Sequence, residues 1–183
     1  MAAQTIPALP PIVVERPGEA AAIDALIEHA FGPGRYARAA ERLREGNRPV
    51  GELCFIAWEG RAAAGCVRLW PIAIGAAPAL LLGPLAVDDA WRGRGLGRAL
   101  LAHACEAAAK AGHALILLVG DEPYYAPFGF AAAPARAVAM PGPVDPRRVL
   151  VRALIDGAAK GLSGRVRPPP PLRGPPPPKG EEK

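Results

Sequence analysis

The sequence predicts a mixed α/β (α+β) domain, in which a largely antiparallel middle sheet is followed by a β–α–β crossover. Three observations predict it. Residues 53–87 hold three successive apolar, strand-like runs separated by short turn signals. Leu96 to Ala111 repeats apolar residues at helical spacing and stops at Gly112. Ala114 to Val119 (ALILLV) is apolar without interruption, as in a strand covered on both faces.

The elements follow in order. Residues 1–10 suggest no element. Ile12–Glu15 (IVVE) reads as a short strand closed by Pro17-Gly18. EAAAIDALIEHAF then places Ile23, Leu26, Ile27 and Ala30 on one helical face, and Gly32-Pro33-Gly34 ends it. RYARAAERLREG predicts a shorter, charged helix with Tyr36, Ala40 and Leu43 on one side. Leu53–Trp58 is a strand, Glu59-Gly60-Arg61 its turn, and Ala63–Trp70 the return, reaching towards Ile74. The run Ala79–Val87 contains Gly83-Pro84; proline has no donor for a ladder, so this strand should break or bulge there. In the long helix, Leu96, Leu100, Ala104, Ala107 and Ala111 are expected on the buried face. A helical turn over Pro123–Ala126 leads into Phe128-Gly129-Phe130, and Val149–Ile155 is a last strand or short helix. The end, RVRPPPPLRGPPPPKGEEK, is low complexity, and its proline runs favour polyproline II. Residues 1–163 are therefore expected to form one domain, with a proline-rich disordered tail over 164–183. The formal PxxP match Pro168-x-x-Pro171 comes with any proline run and reads as tail.

Composition excludes several classes. The formal net charge of +5 suggests a nucleic-acid partner until its location is traced. From Arg165 onward, five cations stand against Glu181 and Glu182, a net of +3, so the body carries only +2. A basic DNA-binding face is not indicated, and no nucleic-acid partner is expected. Cys54, Cys66 and Cys105 are odd in number and lack metal-ligand spacing, which fits buried thiols in a reducing compartment. His29, His103 and His113 are scattered, so no metal is expected. The N-terminal stretch lacks a basic n-region and is interrupted by prolines, unlike a secretory signal. No apolar run approaches the ~20 residues that span a bilayer. A soluble cytoplasmic protein without a membrane partner is expected, and strand edges towards the C-terminus leave room for a homodimer.

The chemistry concentrates in LAVDDAWRGRGLGRALL, a strand, a turn and a helix. Gly93, Gly95 and Gly97 let backbone approach a ligand closely. A helix N-terminus offers unpaired N–H groups and a positive dipole end, and Arg92, Arg94 and Arg98 add forked donors. These parts suit a pyrophosphate. A P-loop would need Gly-Lys-Ser/Thr, which is absent, and a dinucleotide fingerprint would need glycine where Arg98 stands. The pattern R-x-x-G-x-G fits Arg92-x-x-Gly95-x-Gly97 without a gap.

With that turn, the strand ALILLV and Tyr124-Tyr125-x-x-Phe128-Gly129-Phe130, the sequence resembles the GNAT superfamily of N-acetyltransferases, most strongly from Leu80 to Phe130. The resemblance implies a central, mostly antiparallel sheet with a splayed middle strand flanked by helices. It implies acetyl-CoA as cosubstrate and direct attack by a primary amine, on a small molecule or a protein, in a ternary complex. Backbone groups of Leu85, Ala86 and Val87 would bond the pantetheine arm and the acetyl carbonyl. Amides from Arg92 through Gly97, Leu96 included, with Arg98, would hold the pyrophosphate. Tyr125 matches the tyrosine that protonates the departing thiolate, and a phenol with a reference pKa of about 10 is protonated at neutral pH. Tyr124 reads as structural. No base stands out among Glu52, Glu59, Asp88, Asp89, Asp121 and Glu122. A non-catalytic acyl-CoA-binding or sensor module on the same fold is the alternative reading.

Overall fold

A computed structural model of the chain describes residues 8–34 and 39–169. The elements are β1 (Ile12–Val14), α1 (Ala20–Phe31), α2 (Ala39–Arg42), β2 (Phe55–Glu59), β3 (Ala62–Ile74) and β4 (Ala77–Val87). They continue as α3 (Leu96–Lys110), β5 (Leu115–Val119), α4 (Glu122–Tyr125), β6 (Val138–Ala139), β7 (Val149–Ala153) and β8 (Gly164–Arg167). The main sheet has the order β1-β2-β3-β4-β5-β7. Every neighbouring pair along it is antiparallel except β4–β5, the crossover that α3 bridges. The mixed, mostly antiparallel architecture is the one the sequence predicts.

Alternation along the strands builds two faces. Phe55, Ala57, Val67, Leu69, Leu80, Leu82, Ile116 and Leu118 share a core with α3. Ile56, Cys66 and Ala86 point the other way, against Ile23, Leu26 and Ile27 of α1. The α3 stripe comprises Leu96, Leu100, Leu101, Ala104, Cys105 and Ala108. The expected face included Ala107 and Ala111, which are half-buried and exposed. At 3.6 residues per turn, Leu101, Cys105 and Ala108 form the far flank of the stripe, Ala107 falls on its margin, and Ala111 lies beyond the last helical residue.

The centre of β4 departs from regular pairing. Leu82 opposes Leu69 and Leu85 opposes Val67, so three steps on β4 match two on β3. That is a bulge of one extra residue at Gly83-Pro84, where the missing proline donor predicts it. Gly83 has φ +127°, which side chains rarely tolerate, and its carbonyl accepts from the Trp70 indole at 2.7 Å. β5 pairs β4 only at Leu80–Ile116 and Leu81–Leu117. Beyond the bulge the two strands part.

One expectation about the domain changes. The tail boundary at residue 164 is too early: β8 pairs with β3 at Ala73 and Ile74 and with β6 at Val138 and Ala139, and Val166 is buried. A four-residue strand ahead of a proline run carries too little pattern to read. The rest of the proposed tail, and Tyr36 of the second helix, lie outside the described residues. Among the described residues no helix is long and apolar enough to cross a membrane.

A chain ending at Ser163 is expected to lose about 2 kcal/mol or more against one ending at Pro169, because it forfeits the burial of Val166 and the β8 ladder. Paired urea denaturation curves measure this.

Candidate active site

The site lies where β4 and β5 part. The β5-facing edge of Leu85–Val87 has no described strand beside it, and two cavities open from the gap. One, of about 570 Å³, runs along Leu85, Ala86 and Val87 to Arg92, Gly93, Gly95, Gly97 and Arg98. The other, also about 570 Å³, runs over Leu82–Leu85 towards α2 and the 143–148 loop. Phe31, Leu85, Tyr124 and Tyr125 line both, so the cavities meet at those four residues.

The glycine turn is held by its flanks. Asp88 Oδ1 accepts from the Ala90 amide at 2.9 Å and starts a 3₁₀ turn, Asp89–Trp91. Trp91 is buried, and its indole donates to Glu59 at 2.7 Å, tying the turn to the β2–β3 hairpin. Gly93 (φ +71°) and Gly95 (φ +90°) then swing the chain into α3. The amides of Arg92 and Arg94 bond back at 3.3 Å to Asp89 and Trp91. Those of Gly93, Gly95, Leu96, Gly97 and Arg98 have no backbone acceptor among the described residues, which leaves five donors at a positive helix end. A Cβ at Gly97 would sit 3.0 Å from the Tyr124 hydroxyl and 3.4 Å from Val87. Gly97 thus keeps the space beside Tyr124 and Val87 for backbone and ligand, and the cradle fits an extended phosphate-bearing molecule.

The expected arginines divide. Arg92 lines the groove and pairs with Asp89 at 2.9 Å. Arg98 also lines it, its guanidinium 5.9 Å from the Tyr124 ring and 5.3 Å from that of Phe128. Leu96 is buried in the core, so it can serve a ligand in the groove through its amide alone, while Arg94 turns outward over Trp91, 5.5 Å from the ring, with its own amide bonded to the Trp91 carbonyl.

Tyr125 stands at the junction. Its ring lies against Gly120, whose missing Cβ makes the space, and edge-on to Tyr124 at 4.9 Å and Phe130 at 6.0 Å. Burial, then Tyr124 and the Asp121 carboxylate, push its phenol up to about 12, with Arg148 opposing. Tyr124, read from sequence as structural, lines both cavities too, and burial raises its pKa against the pull of Arg98.

The carboxylates separate by position. Glu59 serves Trp91, Glu122 accepts from the Ala132 amide at 2.9 Å, and Asp89 joins Arg92 and the exposed His29. Of the six candidate bases only Asp121 lines the second cavity. Glu41, Arg44, Asp145 and Arg148 line it as well, and no sequence signal marks them. Cys54 and Cys66 are buried, which raises their thiols to about 11 and about 12, so neither is a nucleophile at neutral pH. No three of His, Cys, Asp and Glu gather as a metal site among the described residues.

Comparison with known proteins follows this geometry. The family model of the acetyltransferase (GNAT) domain matches residues 50–132. The uncharacterised N-acetyltransferase YhbS of Escherichia coli K12 is 31% identical over 157 residues, 85% of this chain and 93% of that protein. The crystal structure of Escherichia coli YhbS in complex with CoA superposes with a TM-score of 0.74 at 30% identity, covering 90% of this chain and 93% of that one. A Brucella melitensis GNAT family acetyltransferase in complex with acetyl-CoA superposes with a TM-score of 0.56 at 29% identity, covering 80% and 96%.

Gly120→Ala must displace the Tyr125 ring and is expected to cost about 1–3 kcal/mol. In a double-mutant cycle with Tyr125→Ala, most of that cost should vanish, giving a coupling of about 1 kcal/mol or more by chemical denaturation.

Proposed function

The chain belongs to the GNAT acetyltransferase family, and we propose that it transfers the acetyl group of acetyl-CoA to a primary amine by direct attack in a ternary complex. The observation that carries this reading is the junction of two cavities at Leu85 and Tyr125. One is shaped for a phosphate-bearing arm and the other is open to an acceptor.

Acetyl-CoA supplies an activated thioester carbonyl. In this reading the α3 amides and Arg92 hold the pyrophosphate, while the unpaired edge of Leu85–Val87 bonds the pantetheine arm as a further strand would. A backbone N–H on that edge donates to the thioester oxygen as it becomes an oxyanion; such a donor contributes roughly 10²–10³ in rate. The amine enters from the second cavity as its free base, forms the C–N bond and expels sulfur. The proton shed by nitrogen leaves towards Asp121 or water, and the sulfur gains one to become a thiol.

Tyr125 faces that sulfur. Its phenol, pushed up to about 12, stays protonated across neutral and moderately alkaline pH. A thiol has a reference pKa of about 8.5. A phenol so far above it stabilises the leaving thiolate by donating a hydrogen bond while keeping its own proton, and the thiolate takes its proton from solvent as CoA leaves.

Tyr125→Phe is expected to lower kcat about 10²-fold with little change in the KM for acetyl-CoA, measured by thiol release. Unchanged kcat removes Tyr125 from the chemistry. The raised pKa sets the pH profile: the rate should climb as the amine deprotonates and show no loss from Tyr125 below about pH 11. CoA at 100 times its Kd should stabilise the protein by about 2.7 kcal/mol, read as a thermal shift. Binding without turnover of any amine would turn the reading to a CoA-binding module.

A further inference from the structure

The chemistry above makes no use of Tyr124, whose hydroxyl stands at the glycine turn. The two adjacent tyrosines lean to opposite sides of the gap. The Tyr125 ring lies against Gly120, just after β5, whereas the Tyr124 hydroxyl is 3.0 Å from where a Cβ on Gly97 would be, in the first turn of α3. The Val87 side chain approaches the same point at 3.4 Å, so the hydroxyl borders the passage from the end of β4 to the helix. The ring is held from two sides, edge-on to Tyr125 at 4.9 Å and with the Arg98 guanidinium 5.9 Å from its centre. Burial raises the phenol against the pull of Arg98, so it keeps its proton and is a donor. Among the described residues that donor has no acceptor.

The Gly97 amide beside it also lacks a backbone acceptor. A Cβ lies about 2.5 Å from its own amide nitrogen, so the Tyr124 oxygen and the Gly97 nitrogen are at most about 5.5 Å apart. A hydroxyl bond of about 2.7 Å and an amide bond of about 2.9 Å that meet on one oxygen reach about 5.6 Å. One anionic oxygen can therefore accept from both. We propose that Tyr124 binds the donor substrate, its hydroxyl bonding the diphosphate oxygen of CoA that also accepts from the Gly97 amide. The proposal rests on the acetyl-transfer reading above, and adds an uncharged side-chain donor to a cradle of backbone amides and arginine. The carbonyls of the pantetheine arm have the Leu85–Val87 edge to bond. The oxygens that reach a helix N-terminus are those of the diphosphate. The tyrosine pair then divides its work: Tyr125 meets the sulfur, and Tyr124 anchors the phosphate end.

Tyr124→Phe removes one oxygen that no described protein group bonds, so the fold is kept. CoA, and dephospho-CoA, which keeps the diphosphate and lacks the ribose phosphate, are titrated calorimetrically into the full chain and into the variant. Affinity for both is expected to fall about ten-fold in Tyr124→Phe, as for one lost hydrogen bond to a charged group. In the phosphorus NMR spectrum of bound CoA, the diphosphate resonances should differ between wild type and variant while the ribose phosphate resonance stays in place. A merely structural role would not give that split. A loss confined to CoA overturns the proposal by placing the hydroxyl on the ribose phosphate. A loss with unmoved diphosphate resonances overturns it by placing the hydroxyl on the pantetheine arm. CoA binding that Tyr124→Phe leaves intact overturns the proposal alone. Failure of the wild-type chain to bind CoA overturns the acetyl-transfer reading and the proposal with it.

Discussion

One extra residue in β4 governs the molecule. A regular ladder would carry β4 alongside β5 to their ends and leave no gap in the sheet. The bulge at Gly83-Pro84 reverses which face each later residue presents, so Leu85 and Val87 pack towards the α3 side while Ala86 faces α1. It also ends pairing with β5 after Leu81. Both cavities open from that parting. The cost is a displaced carbonyl and a glycine with φ +127°; the Trp70 indole satisfies the carbonyl, and the absent side chain lets Arg44 close over the glycine. Structure and opening are therefore one feature.

The glycine turn shows the same economy. Its donors are backbone amides, which cannot be displaced by rotamer changes, and its position is set by a buried tryptophan and Glu59 on a neighbouring hairpin. The three arginines contribute in different ways. Arg92 is tethered to Asp89, Arg98 rests beside two aromatic rings, and Arg94 points away. Their charge adds long-range attraction for anions, while the fixed amides determine where a phosphate would sit.

What could be read in advance follows from how local each signal is. The turn, the helix after it, the bulge and Tyr125 rest on residues whose constraint lies within a few neighbours: glycines needing positive φ, a proline without a donor, an aromatic beside Gly-Phe. The second cavity was illegible because Arg44, Asp121 and Arg148 come from three distant segments and look like ordinary surface charges in the chain. β8 was lost for a related reason. Four residues pair with strands far earlier in the chain, and a proline run masks their pattern. Tyr124 is not legible as a cavity residue because adjacent residues of a helical turn ordinarily face different surroundings. A one-turn helix at a junction points both into the gap.

The shared wall has a thermodynamic consequence. Phe31, Leu85, Tyr124 and Tyr125 belong to both cavities, so they cannot respond to one ligand without altering the surface seen by the other. Such coupling is reciprocal: a donor that changes acceptor affinity by some factor has its own affinity changed by the same factor. A rigid partition would let two occupants bind independently; here the two cavities share a wall, so an occupant of one would be felt in the other.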